Sequence, residues 1–212
     1  MKKILMSMRT TEAQNYTEKR NSIAYEYINF FESLGFIIYL IPNNSTNIKS
    51  YFDEKIDLLV LSGGNNVSPN LYNGKNNIDD IYIERDSTEE TLVHLSLENN
   101  IPIIGICRGF HFLNIYFGGN LSHNIVNHVN KEHFLESNLV IIDKQVTNSF
   151  HNHGIKINDL ASQFESIAKS KDEIIEAFIF REKKILGMQW HPERQSKIFD
   201  KKIIIKFLEG TL

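Results

Sequence analysis

The stretch PIIGICRGFHFLNIYFGG, residues 102–119, contains Cys107, the single cysteine of the 212-residue chain. Residues 102–106 predict a buried strand, and the residues after Cys107 predict a helix. Between them, Gly105-Ile106-Cys107-Arg108-Gly109 has the pattern G-x-C-x-G, whose small residues permit a tight strand-to-helix turn. Such a turn would expose the thiol at the edge of a sheet, beside a helix N-terminus that stabilises thiolate.

An inert thiol is the alternative interpretation of Cys107. Free cysteines are commonly small core residues, and one short motif does not distinguish a nucleophile from a packed side chain. The decision therefore depends on the rest of the chain.

Short apolar runs alternate with helical patterns along most of the sequence. Buried strands are predicted at residues 3–7, 36–41, 57–61, 102–106 and 185–188, and helices at 16–34, 86–99 and 195–210, with strand and loop across 121–180. Continuous Ile/Leu/Val strands between helices indicate a parallel sheet covered on both faces. We therefore expect one domain over residues 1–212, an α/β three-layer sandwich with a mostly parallel, flavodoxin-like sheet.

Composition excludes several classes of protein. With 42% hydrophobic and 23% charged residues, the chain has an ordinary globular composition. A net charge of −3 gives no electrostatic reason to bind nucleic acid or a membrane, and one cysteine allows no internal disulfide. We found no signal peptide or membrane-spanning run and expect a cytoplasmic protein. The sequence is compatible with a homo-oligomer but does not indicate one.

Two further motifs follow predicted strands. In Met188-Gln189-Trp190-His191-Pro192-Glu193, His191 could act as a base and Glu193 could orient its ring. Gly63-Gly64 could offer a backbone N–H to an oxyanion. Taken singly, the first motif is equally a surface loop and the second an ordinary turn.

Together these motifs resemble the class I glutamine amidotransferase-like superfamily, and within it the γ-glutamyl-γ-aminobutyrate hydrolase-like, peptidase C26-type group. The resemblance covers most of the chain and rests on six segments in the right order: LSGGNNVSPNLY (61–72), ERD with Glu89 (84–89), GICRG (105–109), GGNL (118–121), NSFH (148–151) and QWHPE (189–193).

This resemblance implies the roles of particular residues. It makes Cys107 the nucleophile, His191 the general base and acid, and Glu193 the carboxylate that orients His191, with an oxyanion hole at Gly64 and Arg108. It also implies a small-molecule γ-glutamyl substrate and neither metal nor organic cofactor. Residues expected to bind that substrate are Gly63, Asn65, His111, Asn148, Ser149, Phe150 and His151.

Three positions depart from the family pattern. Asn66 replaces a usual Asp, while His111 and His153 replace usual glutamines. An imidazole can add a charge near neutral pH, so we hypothesise a leaving group other than a simple aliphatic amine, such as an anionic one. One branch of the family fits this hypothesis: the chain is similar to the γ-glutamyl-CDP-amidate hydrolases of bacterial capsule phosphoramidate pathways, although no single motif identifies that branch. The alternative is that His111 simply packs in the core.

The sequence thus favours a cysteine hydrolase that releases glutamate from a γ-glutamyl amide. Alternatives are a γ-glutamyl-polyamine-pathway hydrolase, a glutaminase subunit that supplies ammonia to a separate synthase, and a redox-sensing relative without catalysis. The histidines at 123, 128 and 133 are interpreted as loop residues rather than zinc ligands, because their spacing of five suits no compact metal motif.

Overall fold

A computed structural model describes residues 1–72, 74 and 78–212 of the chain. The strands are β1 (Lys2–Ser7), β2 (Arg9–Glu12), β3 (Lys19–Ser22), β4 (Phe36–Ile41), β5 (Leu58–Leu61), β6 (Ile103–Ile106), β7 (Ser122–His123), β8 (Val129–Phe134), β9 (Val146–Phe150), β10 (His153–Gly154), β11 (Glu165–Lys169), β12 (Ile175–Phe180) and β13 (Ile185–Met188). The α-helices are α1 (Tyr25–Ser33), α2 (Ile83–Glu98), α3 (Arg108–Tyr116), α4 (Pro192–Gln195) and α5 (Ile198–Glu209).

A seven-stranded sheet in the order β4-β1-β5-β6-β13-β12-β11 forms the centre of the molecule. Its first five strands are parallel, and β12 pairs antiparallel with both β13 and β11. The predicted mostly parallel sheet is therefore confirmed.

The pleat of the sheet sends successive side chains to two separate hydrophobic cores. In β1, Ile4 and Met6 belong to one core and Leu5 to the other. Helices α1 and α5 pack on the face of Ile4, and α2 and α3 pack on the face of Leu5. The molecule consequently has the three layers that the sequence predicts.

The helix predicted over residues 16–34 is shorter than expected. Residues 19–22 instead form β3, which pairs antiparallel with β2, and α1 begins only at Tyr25. The physical reason is that KRNS supplies no apolar side chain for a helix face, whereas Tyr27, Phe30 and Phe31 supply a buried one. The other predicted strands and helices match within a few residues.

The carboxyl ends of β1, β5, β6 and β13 meet along one edge of the sheet. Arg9, Gly63, Cys107 and His191 follow these ends within a few residues, which is where parallel sheets commonly bind ligands. No helix in the described part of the chain is long and apolar enough to span a bilayer.

Candidate active site

Cys107 lies in a strained turn between β6 and α3. Its backbone has φ +53° and ψ −101°, a conformation that non-glycine residues rarely adopt. The Cys107 N–H donates to the Met188 carbonyl at 2.8 Å, and the His111 N–H donates to the Cys107 carbonyl at 3.1 Å. These bonds hold the turn from both sides, and the thiol remains only partly buried.

The glycines around Cys107 are required by close backbone contacts. A Cβ on Gly105 would lie 2.5 Å from the Gly109 carbonyl oxygen, and a Cβ on Gly109 would collide with the Leu61 carbonyl. The G-x-C-x-G pattern therefore has a direct steric cause: β5, β6 and α3 come too close for any side chain.

His191 is fixed in orientation by its neighbours. Its Nδ1 lies 2.6 Å from Oε1 of Glu193, and both residues are 4% exposed. Asn148 clamps the backbone of His191, since its Oδ1 accepts from the His191 N–H at 2.9 Å and its Nδ2 donates to the His191 carbonyl at 2.8 Å. His191 and Cys107 line the same cavity, and their side chains interact with each other there.

Cys107 and His191 shift one another's pKa. Burial raises the pKa of the Cys107 thiol, but the charge and hydrogen bond of His191, together with the charge of His151, outweigh burial and lower it below its usual value. Burial lowers the pKa of His191, but interactions with Cys107 and then Glu193 raise it to about 9. This arrangement favours a thiolate–imidazolium pair, the reactive form of a nucleophilic cysteine.

Backbone donors border the thiol. Arg108 is the first residue of α3, so its N–H has no acceptor within the helix. The peptide of Gly64 is oriented by its φ of +83° and by its carbonyl, which accepts from Arg85 Nη1 at 2.6 Å. By contrast, the neighbouring Gly63 N–H already donates to the Tyr27 hydroxyl at 2.8 Å.

A cavity of about 300 Å³ opens over these groups, a size that suits a small molecule. Ten of the residues predicted from sequence line it: Gly63, Gly64, Asn65, Cys107, Arg108, His111, Phe150, His151, His191 and Glu193.

Asn148 and Ser149, which the sequence assigned to substrate binding, are not among the lining residues. The Asn148 side chain is hydrogen-bonded to the backbone of His191, and the Ser149 hydroxyl donates to the His128 carbonyl at 2.6 Å. Both side chains are buried, so they shape the wall from behind. Asn65 lines the cavity, but its amide is engaged by the backbone of Thr10 and by Asp80.

The expectation of a charged imidazole fails at both departures from the family pattern. Burial and the charge of His151 lower the pKa of His111 to about 3, despite its 2.6 Å hydrogen bond to Gln189. Burial and the charge of His123 lower the pKa of His153 to about 4. Both rings are therefore neutral at pH 7.

Arg9 and Arg194 are the positive groups of the cavity that the sequence reasoning missed. Arg9 follows the end of β1, and its guanidinium lies against Gly64. Arg194 immediately follows the QWHPE motif and lies 4.1 Å from the centre of the Phe150 ring. The position of Arg9 after a parallel strand could have identified it.

A buried ion network supports the turn from below. Glu89 accepts from Arg85 Nε at 2.9 Å and from Ser7 Oγ at 2.8 Å, and it also pairs with Arg108. Asp86 forms a second ion pair with Arg108. Arg85, Asp86 and Glu89 of α2 thus form a buried network that fixes Arg108, the residue that follows Cys107.

His128, His151 and Glu176 form a second polar cluster, in which one ligand-type atom from each side chain lies within 4.8 Å of the others. His128 lies in a loop as expected, just before β8, but its side chain is only 2% exposed. The expectation of a loop position is wrong for His123, which belongs to β7, and for His133, which belongs to β8 and lies 3.1 Å from Glu176 Oε1. Donors of this kind can hold a divalent cation.

Comparison with known proteins agrees with this architecture. The family model of Peptidase C26 matches residues 3–193. The chain is 35% identical over 223 residues to the glutamine amidotransferase-like protein YvdE of Lactococcus lactis, covering 91% of each chain. It is 32% identical over 186 residues to the γ-glutamyl-CDP-amidate hydrolase of Campylobacter jejuni, covering 86% of this chain and 85% of the relative.

A solved crystal structure of a GMP synthase component from Thermoplasma acidophilum superposes with a TM-score of 0.70. The match covers 100% of this chain and 94% of the other at 18% identity, and it therefore supports the fold alone.

Proposed function

The chain belongs to the peptidase C26 family, and we propose that it is a cysteine hydrolase that cleaves a γ-glutamyl amide bond and releases glutamate. The observation that carries this proposal is the geometry of three side chains: a thiol on a strained strand-to-helix turn, an imidazole directed at it, and a carboxylate 2.6 Å behind the imidazole. Thiol hydrolases require this order of nucleophile, base and orienting group.

The first half of the reaction forms a thioester. The Cys107 thiolate attacks the γ-carbonyl carbon, and the carbonyl π electrons move to oxygen. The N–H groups of Arg108 and Gly64 hold that oxyanion, and in comparable sites each donor contributes about 3–4 kcal/mol. Protonated His191 gives its proton to the leaving nitrogen, the C–N bond breaks, and the glutamyl group stays on sulfur.

The second half restores the enzyme. Neutral His191 takes a proton from water, and the oxygen attacks the thioester carbon through a second oxyanion. The C–S bond then breaks, which releases glutamate and regenerates the thiolate beside protonated His191. Glu193 stabilises that imidazolium in both halves.

For the leaving group we propose an anionic, nucleotide-linked phosphoramidate, as in γ-glutamyl-CDP-amidate. Support comes from the 32% identical relative of that name and from Arg9 and Arg194, which line the cavity. Arg194 is exposed and stacked on Phe150, so it can meet phosphate oxygens as they enter. The arginines, rather than His111 and His153, would then recognise the anion.

The test is glutamate release from a panel of free glutamine, γ-glutamyl-γ-aminobutyrate and γ-glutamyl-CDP-amidate, with Cys107→Ala as the control. We expect release that depends on Cys107 and is fastest with the nucleotide compound. Fast release from the aliphatic amide alone would retain the chemistry but reject the proposed leaving group. Release from glutamine that rises with a synthase would favour the glutaminase-subunit hypothesis.

A further inference from the structure

We propose that His128, His151 and Glu176 bind one divalent transition-metal ion, with zinc the best match, in a structural site behind the cavity wall. None of these three side chains takes part in the steps proposed for the hydrolase reaction.

The three residues come from separate parts of the fold. His128 precedes β8, His151 follows β9, and Glu176 lies in β12 of the central sheet. Backbone bonds fix the two histidines relative to each other, because the His151 N–H donates to the His128 carbonyl at 3.1 Å. All three side chains are almost completely buried, with exposures of 2%, 4% and 0%.

The distances between the ligand atoms match those around a tetrahedral ion. His128 Nδ1 lies 3.3 Å from His151 Nε2 and 3.5 Å from Glu176 Oε1, and His151 Nε2 lies 3.6 Å from the same oxygen. Zinc bonds of about 2.0–2.1 Å place tetrahedral ligands about 3.3–3.4 Å apart. Two histidines and a glutamate are also a ligand set that zinc uses in proteins.

The outer nitrogens of both histidines are held as metal ligands usually are. His151 Nδ1 donates to the His153 carbonyl at 2.8 Å, and His128 Nε2 donates to Asp172 Oδ2 at 3.0 Å. A metal-bound imidazole is neutral and carries one proton, so with that proton on the outer nitrogen, Nδ1 of His128 and Nε2 of His151 would each present a lone pair to the ion. These two nitrogens and the Glu176 carboxylate face one point and can hold one cation there.

The carboxylate of Glu176 is surrounded by imidazoles. Both of its oxygens are buried, and one nitrogen each of His128, His133 and His151 lies 3.5, 3.1 and 3.6 Å from Oε1. A buried carboxylate is costly unless a cation pairs with it, and an ion bound to Oε1 would supply that pairing. His133 Nε2 approaches the same oxygen to 3.1 Å and is placed to supply the fourth ligand.

The bound ion would connect the segment before β8 and the turn after β9 to the central sheet. Phe150 at the end of β9 and His151 in that turn both line the cavity. The site therefore has a structural consequence that is measurable without substrate: loss of the ion should loosen this wall and lower the melting temperature.

The decisive measurement is the zinc content of the Cys107→Ala chain after equilibration with zinc and gel filtration, which removes the thiol as a competing ligand. We expect about one zinc per chain and a higher melting temperature than after chelation. Less than about a tenth of an equivalent of zinc per chain, with no change in melting temperature, would overturn the proposal. The cluster would then hold a proton rather than a metal ion. Cobalt(II) bound to the native chain should show nitrogen and oxygen ligation without a thiolate band, and a thiolate band would also contradict it.

Asp172→Asn tests the site without disturbing the core, because Asp172 is 55% exposed. Zinc affinity should fall by about 10–100-fold, the usual effect of removing an outer carboxylate. His94→Gln, an exposed histidine on α2, is the matched control and should leave affinity unchanged. Equal zinc affinity in the Asp172→Asn and native chains would count against the assignment.

Discussion

His191 Nδ1 lies 2.6 Å from Glu193 Oε1, while the second carboxylate oxygen of Glu193 is buried without a hydrogen-bond partner. The carboxylate is therefore committed to the ring of His191. This pairing fixes which nitrogen of His191 carries the outer proton, and it leaves the other nitrogen for Cys107.

Replacing that carboxylate should impair the reaction more than the fold. We expect Glu193→Gln to lower kcat by about 10²–10⁴-fold, since His191 loses the charge that supports its cationic form. The measurement is steady-state glutamate release from a γ-glutamyl amide. Glu182→Gln, at an exposed position in the turn before β13, is the control. A loss of less than tenfold would contradict this role.

The pH dependence of kcat/KM should have two limbs. As pH falls through the lowered pKa of Cys107, the thiolate is protonated and the rate falls. As pH rises through about 9, His191 loses the proton that it gives to the leaving nitrogen, and the rate falls again. Because Glu193 raises the pKa of His191, the alkaline limb should move to lower pH in Glu193→Gln. An unmoved limb would contradict the pairing.

Gly109 should tolerate no side chain. In Gly109→Ala the new Cβ meets the backbone of Leu61, which cannot move without shifting β5. We expect a loss of about 3 kcal/mol in the free energy of unfolding, together with most of the activity. Gly118→Ala is the comparison: its added Cβ meets no atom within 4 Å, and its φ of +87° costs about 1 kcal/mol. Denaturant unfolding of both variants measures the difference, and equal losses would refute the steric account.

The ion network below the turn should dominate the stability of α2. Glu89→Gln leaves Arg85 and Arg108 without a shared buried anion, which should cost about 3–5 kcal/mol. The next residue, Glu90, is exposed, so Glu90→Gln should change stability by less than about 0.5 kcal/mol. Urea unfolding of the two variants separates a buried-charge effect from a change of helix propensity. Equal urea midpoints for Glu89→Gln and Glu90→Gln would contradict the stabilising role of the buried ion network.

Arg194 should select the leaving group. We expect Arg194→Gln to raise KM for γ-glutamyl-CDP-amidate by about tenfold, the value of one charge-assisted contact, with little effect on γ-glutamyl-γ-aminobutyrate. Arg181→Gln, at an exposed arginine that pairs with Glu165, is the control. An equal effect on both substrates would place Arg194 outside leaving-group recognition.

The fold could be predicted largely because its strands carry continuous apolar runs. Residues 36–41 and 185–188 match β4 and β13 to the residue. The β2–β3 hairpin was missed because its strands are polar and mostly exposed, so they lack the periodicity on which the prediction depends.

The candidate site was predictable where short motifs coincide with strand ends. Its charge states were not, because the pKa values of His111 and His153 depend on burial and on neighbours distant in sequence. The ligand cluster was hidden for the same reason, since its members His128, His151 and Glu176 are 23 or more residues apart in the sequence. Spacing along the chain carries no information about such contacts.

The most direct test of the central claim is the covalent state of Cys107 during turnover. The native chain is mixed with γ-glutamyl-CDP-amidate, quenched in acid and measured by intact-protein mass spectrometry. We expect its mass to increase by one γ-glutamyl group. Peptide mapping should place that group on Cys107, and hydroxylamine should remove it as expected of a thioester. The Cys107→Ala chain should carry none and release no glutamate; release at the native rate from that variant would contradict the account.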